Sequence, residues 1–174
     1  HMLSVVLYLW KITKWFFYVV KRLGDAGLEH TVEVLPGGTR VWINKEHRFG
    51  TDALLLLSFC QVQPRWAACD LGAGCGILLL GLVDKGLRGP AAGVELAPAG
   101  VALLAGAAAE NGLANVEAVI GDVKAYRPGR QYDIVIANPP YFSAGPPPPG
   151  PQPAAARHDH TATLAEFCRG SATV

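Results

Sequence analysis

Residues 67–76 have the sequence AACDLGAGCG, an apolar run that ends in an acidic residue and opens into three alternating glycines. This order predicts a buried strand that ends at Asp70, then a glycine loop, then a helix over residues 77–85. Glycine has no Cβ, so the loop backbone can approach a ligand and turn tightly into the helix. The spacing differs from G-x-G-x-x-G, which makes a dinucleotide the less expected ligand. The glycines concerned are Gly72, Gly74 and Gly76.

Three more strand patterns follow this unit. The four predicted strands cover residues 67–70, 91–94, 116–120 and 132–137. An alanine-rich helix is expected over residues 98–111, with Gly112 just past its end. Strands that alternate with helices are joined by right-handed βαβ crossovers, so the pattern predicts an α/β fold with a parallel sheet.

A polar side chain stands at the end of each predicted strand. In chain order these are Asp70, Glu95, Asp122 and Asn138. The carboxyl ends of parallel strands lie at one edge of a sheet, which is where such sheets bind ligands. Glu95 also follows the glycine loop by about 20 positions, where an acidic residue binds a ribose diol in this geometry. The four side chains are therefore predicted to line one binding site.

The sequence NPPYF occupies positions 138–142, directly after the last strand. Two prolines fix the backbone and remove two N–H donors, which leaves an amide side chain, carbonyls and an aromatic ring. That set suits a planar group carrying NH2. Asn138 and a proline carbonyl would accept its N–H bonds, and Tyr141 would stack on its face. The competing interpretation is a strand followed by a proline-rich turn.

An almost wholly apolar segment, residues 3–20, precedes these patterns. Its composition is typical of a strand, but Lys11 and Lys14 share one face only in a helix. We predict an amphipathic helix. A membrane span is disfavoured, because each mid-segment lysine would cost roughly 2.5–3.5 kcal/mol at the bilayer centre.

Between this segment and the glycine loop, residues 29–34 and 39–43 flank a glycine-rich turn and predict a β-hairpin. Thr51 or Asp52 is then predicted to cap a helix that begins at Ala53. Capping is the plainer role for these two side chains, and contact with a ligand is the alternative.

Composition sets limits on function. The 174 residues can bury the core of one domain, and the net charge of +1 gives no strong overall field, so nucleic-acid binding would rest on local patches. No C-x-x-C pair occurs, which favours reduced thiols over disulfides or zinc at Cys60, Cys69, Cys75 and Cys168. His158 and His160 form a His-x-His pair without further ligands at matching spacing, so a solvated or substrate-facing loop is favoured over a metal site.

The glycine loop, Glu95, Gly121-Asp122 and the motif at 138–141 together resemble the class I S-adenosylmethionine-dependent methyltransferases that methylate amino groups. The stretch RFGTDALLL at 48–56, and Tyr141-Phe142 followed by Ala156-Arg157-His158, are similar to the bacterial valine-tRNA adenine-N6 methyltransferases. Those enzymes act on an adenine of the anticodon loop. The resemblance covers residues from about 28 to 170.

The resemblance implies a Rossmann-like methyltransferase sheet. The family fold has seven strands, and patterns for the first four are found, so the expected sheet is incomplete and follows an N-terminal helix and a β-hairpin. Two parts are expected: an apolar, amphipathic segment over 1–27 and a partial methyltransferase domain over 28–174. Cytoplasmic localisation is expected, with no membrane span.

The resemblance also implies residue roles, with S-adenosylmethionine as the cofactor and no metal. Asp70, Gly72 and Gly74 would hold its methionine part, Glu95 its ribose and Asp122 its adenine, with Asn138 also near the cofactor. Asn138 and the Pro139 carbonyl would accept hydrogen bonds from the target amine. Pro140 and Tyr141 are the remaining residues of the expected catalytic motif. The expected partner is tRNA, and a homo-oligomer could form through the open sheet edge or the N-terminal segment.

Three other functions remain open at this point. The motif at 138–141 is similar to that of enzymes that methylate the glutamine of release factors, and of others that methylate guanine in rRNA. A third reading, of another class, is a truncated cofactor-binding fragment that self-associates through its open sheet edge without turnover.

Overall fold

The computed structural model describes residues 28–139, which form six strands and three helices. Several of the predictions above concern positions outside the described residues. These are the helix over 3–20, Pro140, Tyr141, Cys168 and the His158–His160 pair. The elements in chain order are β1 (Thr31–Val34), β2 (Arg40–Ile43), α1 (Thr51–Phe59), β3 (Ala68–Leu71), α2 (Ile77–Asp84), β4 (Ala91–Glu95), α3 (Pro98–Glu110), β5 (Val116–Ile120) and β6 (Ile134–Ile136).

Four of the strands form a parallel sheet in the order β5-β4-β3-β6, which confirms the predicted α/β fold. The chain moves outward from β3 through β4 to β5 and then returns to the other side of β3. The sheet therefore has its switch point between β3 and β6, where ligands bind in open α/β sheets. Asp70 pairs with Ile136, so the segments that follow β3 and β6 leave the sheet at the same edge.

Helix α2 is buried on nearly every side, because its residues 77–83 are all apolar or glycine. It covers β3, all four residues of which are buried. Each fully buried leucine contributes about 1.5–3 kcal/mol relative to an exposed one. Gly86, in the left-handed region at φ 108°, ends the helix, and the Leu87 amide bonds back to the Leu82 carbonyl at 3.0 Å.

Helix α1 begins two residues earlier than predicted. Gly50 is its N-cap in extended conformation, and no side chain caps it among the described residues. The prediction that Thr51 or Asp52 is the cap is therefore wrong, because both residues already belong to the first helical turn. None of the three helices described in residues 28–139 is long and apolar enough to cross a membrane.

The predicted hairpin is confirmed, with Thr31 opposite Ile43 and Val34 opposite Arg40. It packs on the helices. The Trp42 ring lies so close to Gly106 of α3 that a Cβ there would meet it at 2.1 Å. Asp84, at the end of α2, accepts the Gly37 and Thr39 amides at 2.8 and 3.0 Å.

Candidate functional site

The glycine loop joins β3 to α2 at the carboxyl edge of the sheet. Gly72 and Gly74 have φ values of 75° and 53°, a left-handed conformation that favours glycine. A Cβ at Gly74 would meet no described atom within 4 Å, so the loop surface is open there. At Gly76 (φ 79°) a Cβ would meet Leu104 at 2.3 Å, so this glycine is needed for packing.

Glu95, at the end of β4, holds this loop in place. Its Oε2 accepts the Gly74 amide at 2.8 Å, and its Oε1 accepts the Ala97 amide at 2.7 Å. The carboxylate thus links the loops that follow β3 and β4. Each carboxylate oxygen has a second lone pair, so the same group can also accept ligand hydroxyls.

Asp70 is the third residue of β3 and is buried, at 1% exposure. Within residues 28–139 neither carboxylate oxygen has a hydrogen-bond partner of normal geometry. Burial raises the pKa of Asp70 to about 7, against a lowering by the Leu79 amide dipole and a further rise from the nearby Glu95 carboxylate. A cation placed beside this carboxylate would favour its charged form.

Asp122 follows β5 and is half-buried. Its Oδ1 accepts the Lys124 amide at 2.9 Å, and its carbonyl accepts the amides of Ala125 and Tyr126. These hydrogen bonds fix a turn at the carboxyl edge of the sheet. The turn lies two strands away from the glycine loop. Its carboxylate therefore stands at the outer end of the row of polar side chains.

Asn138, after β6, meets a residue that the sequence pattern assigned to helix capping. Its Nδ2 donates to Asp52 Oδ2 at 2.6 Å. This bond is the main cause of a lowered pKa of Asp52; the first-turn amides of Ala53 and Asp52 lower it further, against the effect of burial. Sequence reasoning missed this pair, and the only signal was Asp52 within the stretch that resembles a methyltransferase family.

Two cysteines flank this site. Burial raises the pKa of Cys69 to about 12 and that of Cys75 to about 11, so both remain neutral thiols. Cys60, Cys69 and Cys75 are free in the structure. The part of the chain spanning 28–139 brings no three metal-ligating side chains together.

The structure therefore gathers the predicted residues at one edge. Along it, the β5, β4, β3 and β6 ends present Asp122, Glu95, the glycine loop with Asp70, and Asn138 with Pro139. Pro140 and Tyr141 lie outside the described residues, and the roles predicted for individual residues stay predictions.

Among curated proteins, the chain is 31% identical over 138 residues to the tRNA1(Val) (adenine(37)-N6)-methyltransferase of Bacteroides thetaiotaomicron, covering 76% of this chain and 57% of that protein. Further relatives of the same name are 28–34% identical. The release factor glutamine methyltransferase of Koribacter versatilis is 32% identical over 87 residues, covering 49% of this chain and 31% of that protein. The chain spans about half the length of the curated tRNA-modifying relatives it matches.

Solved structures support the fold. A crystal structure from Pyrococcus horikoshii matches with a TM-score of 0.52 at 18% identity, over 61% of this chain and 41% of that one. The family described as "Methyltransferase small domain" matches this chain over residues 39–146. This range runs from the hairpin through the glycine loop to the asparagine-proline motif. This chain belongs to the methyltransferase small domain family.

Proposed function

We propose that this chain is an S-adenosylmethionine-dependent N-methyltransferase that acts on an exocyclic amino group, adenine N6 of a tRNA anticodon loop. The observation that carries the proposal is the carboxyl edge itself. There the glycine loop held by Glu95 follows Asp70, which is buried and has no hydrogen-bond partner within residues 28–139, and Asn138 follows the neighbouring strand β6. Family membership and the names of the tRNA-modifying relatives support it.

The residues at this edge fit the cofactor. Its methionine part carries an ammonium group, and Asp70 is a buried carboxylate without a partner in the described residues. Gly74 leaves space open at the loop surface. Glu95 offers its remaining lone pairs to the ribose hydroxyls, and Asp122 is assigned to the adenine amino group.

Bound there, the cofactor supplies a methyl group on a positively charged sulfur. The amine of an aromatic base is a poor nucleophile, because its lone pair is delocalised into the ring. Asn138 and the Pro139 carbonyl accept hydrogen bonds from its two N–H groups. These hydrogen bonds localise the lone pair on nitrogen. The nitrogen oriented in this way would take the methyl group that the cofactor supplies, and its displaced proton would pass to solvent. The rate gain comes from positioning and electrostatics.

Two reasons favour tRNA as the substrate. They are the names of the relatives and the free energy that is needed to take a base out of its stack. A base must leave its stack to enter such a pocket, and this costs least in a single-stranded loop. Tyr141 is assigned to stack on the base. With a net charge of +1, phosphate contacts would come from local patches of lysine and arginine.

A second candidate is methylation of a glutamine side chain in a release factor, favoured by the similarity to the Koribacter versatilis enzyme of that name. A carboxamide also presents a planar NH2 that two acceptors can hold. Methylation of guanine in rRNA follows the same chemistry on a different base.

Transfer of labelled methyl from S-adenosylmethionine to total tRNA, to rRNA and to release-factor protein compares these substrates directly. Label in tRNA alone is expected. Label in the release factor alone would replace the proposal with the second candidate. Cofactor binding without transfer to any of the three would favour the reading as a self-associating fragment without turnover.

Three assignments complete the proposal. We assign residues 1–27 to a segment separate from the domain over 28–174, and the protein to the cytoplasm, where tRNA is modified. We also propose self-association, because β6 pairs only with β3 among the described strands, and the edge strand of a sheet can pair with another chain.

A further inference from the structure

The hydrogen bond between Asp52 and Asn138 joins two parts of the chain that are 86 positions apart. Asp52 lies in the first turn of α1, whose last turn is held by Lys85, with Nζ donating to the Leu57 carbonyl at 2.7 Å. Lys85 Nζ also donates to the Cys60 carbonyl. Asp52 therefore sits on a helix that is fixed to the core at its far end.

An asparagine amide is nearly symmetric in shape, so its two orientations differ in which end donates and which accepts. An ionised carboxylate can only accept. Asp52 therefore selects the orientation in which Nδ2 faces it and Oδ1 is turned the other way.

The backbone before Asp52 leaves room for its carboxylate, and the bond from Asn138 favours its ionised form. Gly50 has φ −106°, which any residue adopts, but a Cβ there would meet Asp52 Oδ1 at 2.5 Å. Glycine at position 50 thus leaves room for the carboxylate. In addition, the bond from Asn138 lowers the pKa of Asp52 below its ordinary 3.8, so the side chain is ionised at neutral pH.

We propose that Asp52 is a positioning residue, which holds the Asn138 amide with its nitrogen toward α1 and its oxygen toward the amine to be methylated. The identity of that amine rests on the proposed function. The contact between the two side chains does not, because it is a property of the chain alone.

The first test is spectroscopic and needs no activity. The side-chain NH2 signals of Asn138 in 15N-labelled protein are assigned by their loss in Asn138→Ala. In the wild type we expect one of these protons to be shifted downfield and to move back when the solution is acidic enough to protonate Asp52, whose pKa is lowered by this bond. Asp52→Ala should abolish the shift. Gly50→Ala, which keeps the charge and displaces the carboxylate, should reduce it.

Glu46→Gln is the matched control, since it removes one exposed negative charge close by in the chain and should leave these signals unchanged. Asn138 amide signals that are the same in Asp52→Ala as in the wild type would overturn the proposal.

The second test is kinetic. Asp52→Ala should lower kcat for methyl transfer about 10- to 100-fold, the loss expected when a reacting group is misplaced. The cofactor Kd and the substrate KM should stay within about twofold, because the bond acts on the transition state through Asn138. A kcat equal to that of the wild type would also overturn the proposal. If the wild type transfers no methyl, the proposed function fails, and the Asn138 signals alone decide whether Asp52 holds the amide.

Discussion

At the residue scale, the buried Asp70 of β3 makes the stability of the chain depend on pH. The pKa of Asp70 is about 7 in the folded chain, against 3.8 for an exposed aspartate, because burial disfavours its charged form. The folded state therefore binds one more proton than the unfolded state between these two pH values. The protonated carboxyl therefore contributes to the free energy of unfolding. This contribution is fully present below about pH 4 and is lost as the pH rises to about 7, by about 1.4 kcal/mol per pH unit.

Urea unfolding of the wild type and Asp70→Asn at several pH values tests this. The wild type should lose stability between pH 5 and pH 7 relative to the variant, which has no proton to exchange at this position. Parallel pH profiles for the two proteins would contradict the assignment. Added S-adenosylmethionine should flatten the wild-type profile, because its ammonium favours the ionised carboxylate.

Glu95 gives a second prediction at this scale. Glu95→Ala removes an acceptor for the ligand and also releases the Gly74 and Ala97 amides. We expect the cofactor to bind more weakly by about 1.5–3 kcal/mol for each hydrogen bond to the charged group that is lost. Isothermal titration calorimetry measures this. Glu117→Ala, an exposed acid on the neighbouring strand, is the control and should bind as the wild type does.

Some residues of the site could be predicted from the sequence, and the contact between Asp52 and Asn138 could not. The glycines and the acids at strand ends were predictable, because they act through local backbone conformation and through the common edge of a parallel sheet. The partner of Asn138 was not, because an aspartate at the start of a helix has the same sequence pattern whether it caps the helix or binds a distant side chain. A contact across 86 positions has no local signature.

At the element scale, the hairpin is attached to the helices through the Asp84 carboxylate, Trp42 and Asn111. Asn111 accepts the Arg40 amide at 2.9 Å and donates to the Arg40 carbonyl at 2.7 Å. The strands themselves were predictable from alternating β-branched residues and the glycine turn. Their position on α2 and α3 was not, because it depends on Trp42 fitting over Gly106.

Asp84→Ala should loosen this hairpin specifically. It removes the acceptor of the Gly37 and Thr39 amides, at a cost of about 0.5–1.5 kcal/mol per bond, since water can reach the exposed Gly37 amide. Hydrogen exchange should show faster exchange in β1 and β2 and unchanged protection in β3 and β4. The control Glu33→Gln, an exposed acid on β1, should leave both regions unchanged. Faster exchange throughout the sheet would contradict a local role.

At the scale of the whole molecule, the fold class was predictable because four strand patterns alternate with helices and turns. The order of the strands places β6 at one edge of the described sheet, with β3 as its neighbour. We expect the chain to self-associate through that edge or through residues 3–20. Light scattering over a concentration series, with and without residues 3–20, measures this. Dimers that are lost on deletion would support the prediction, and monomers in both proteins would contradict it.

The central claim is that the carboxyl edge binds S-adenosylmethionine and that Asn138 directs its methyl group to an amine. The most direct measurement is mass spectrometry of nucleosides from unmodified valine tRNA incubated with the cofactor and either the wild type or Asn138→Ala, after calorimetry has shown equal cofactor binding. We expect N6-methyladenosine with the wild type and none with the variant. Equal amounts of N6-methyladenosine from both proteins would contradict it.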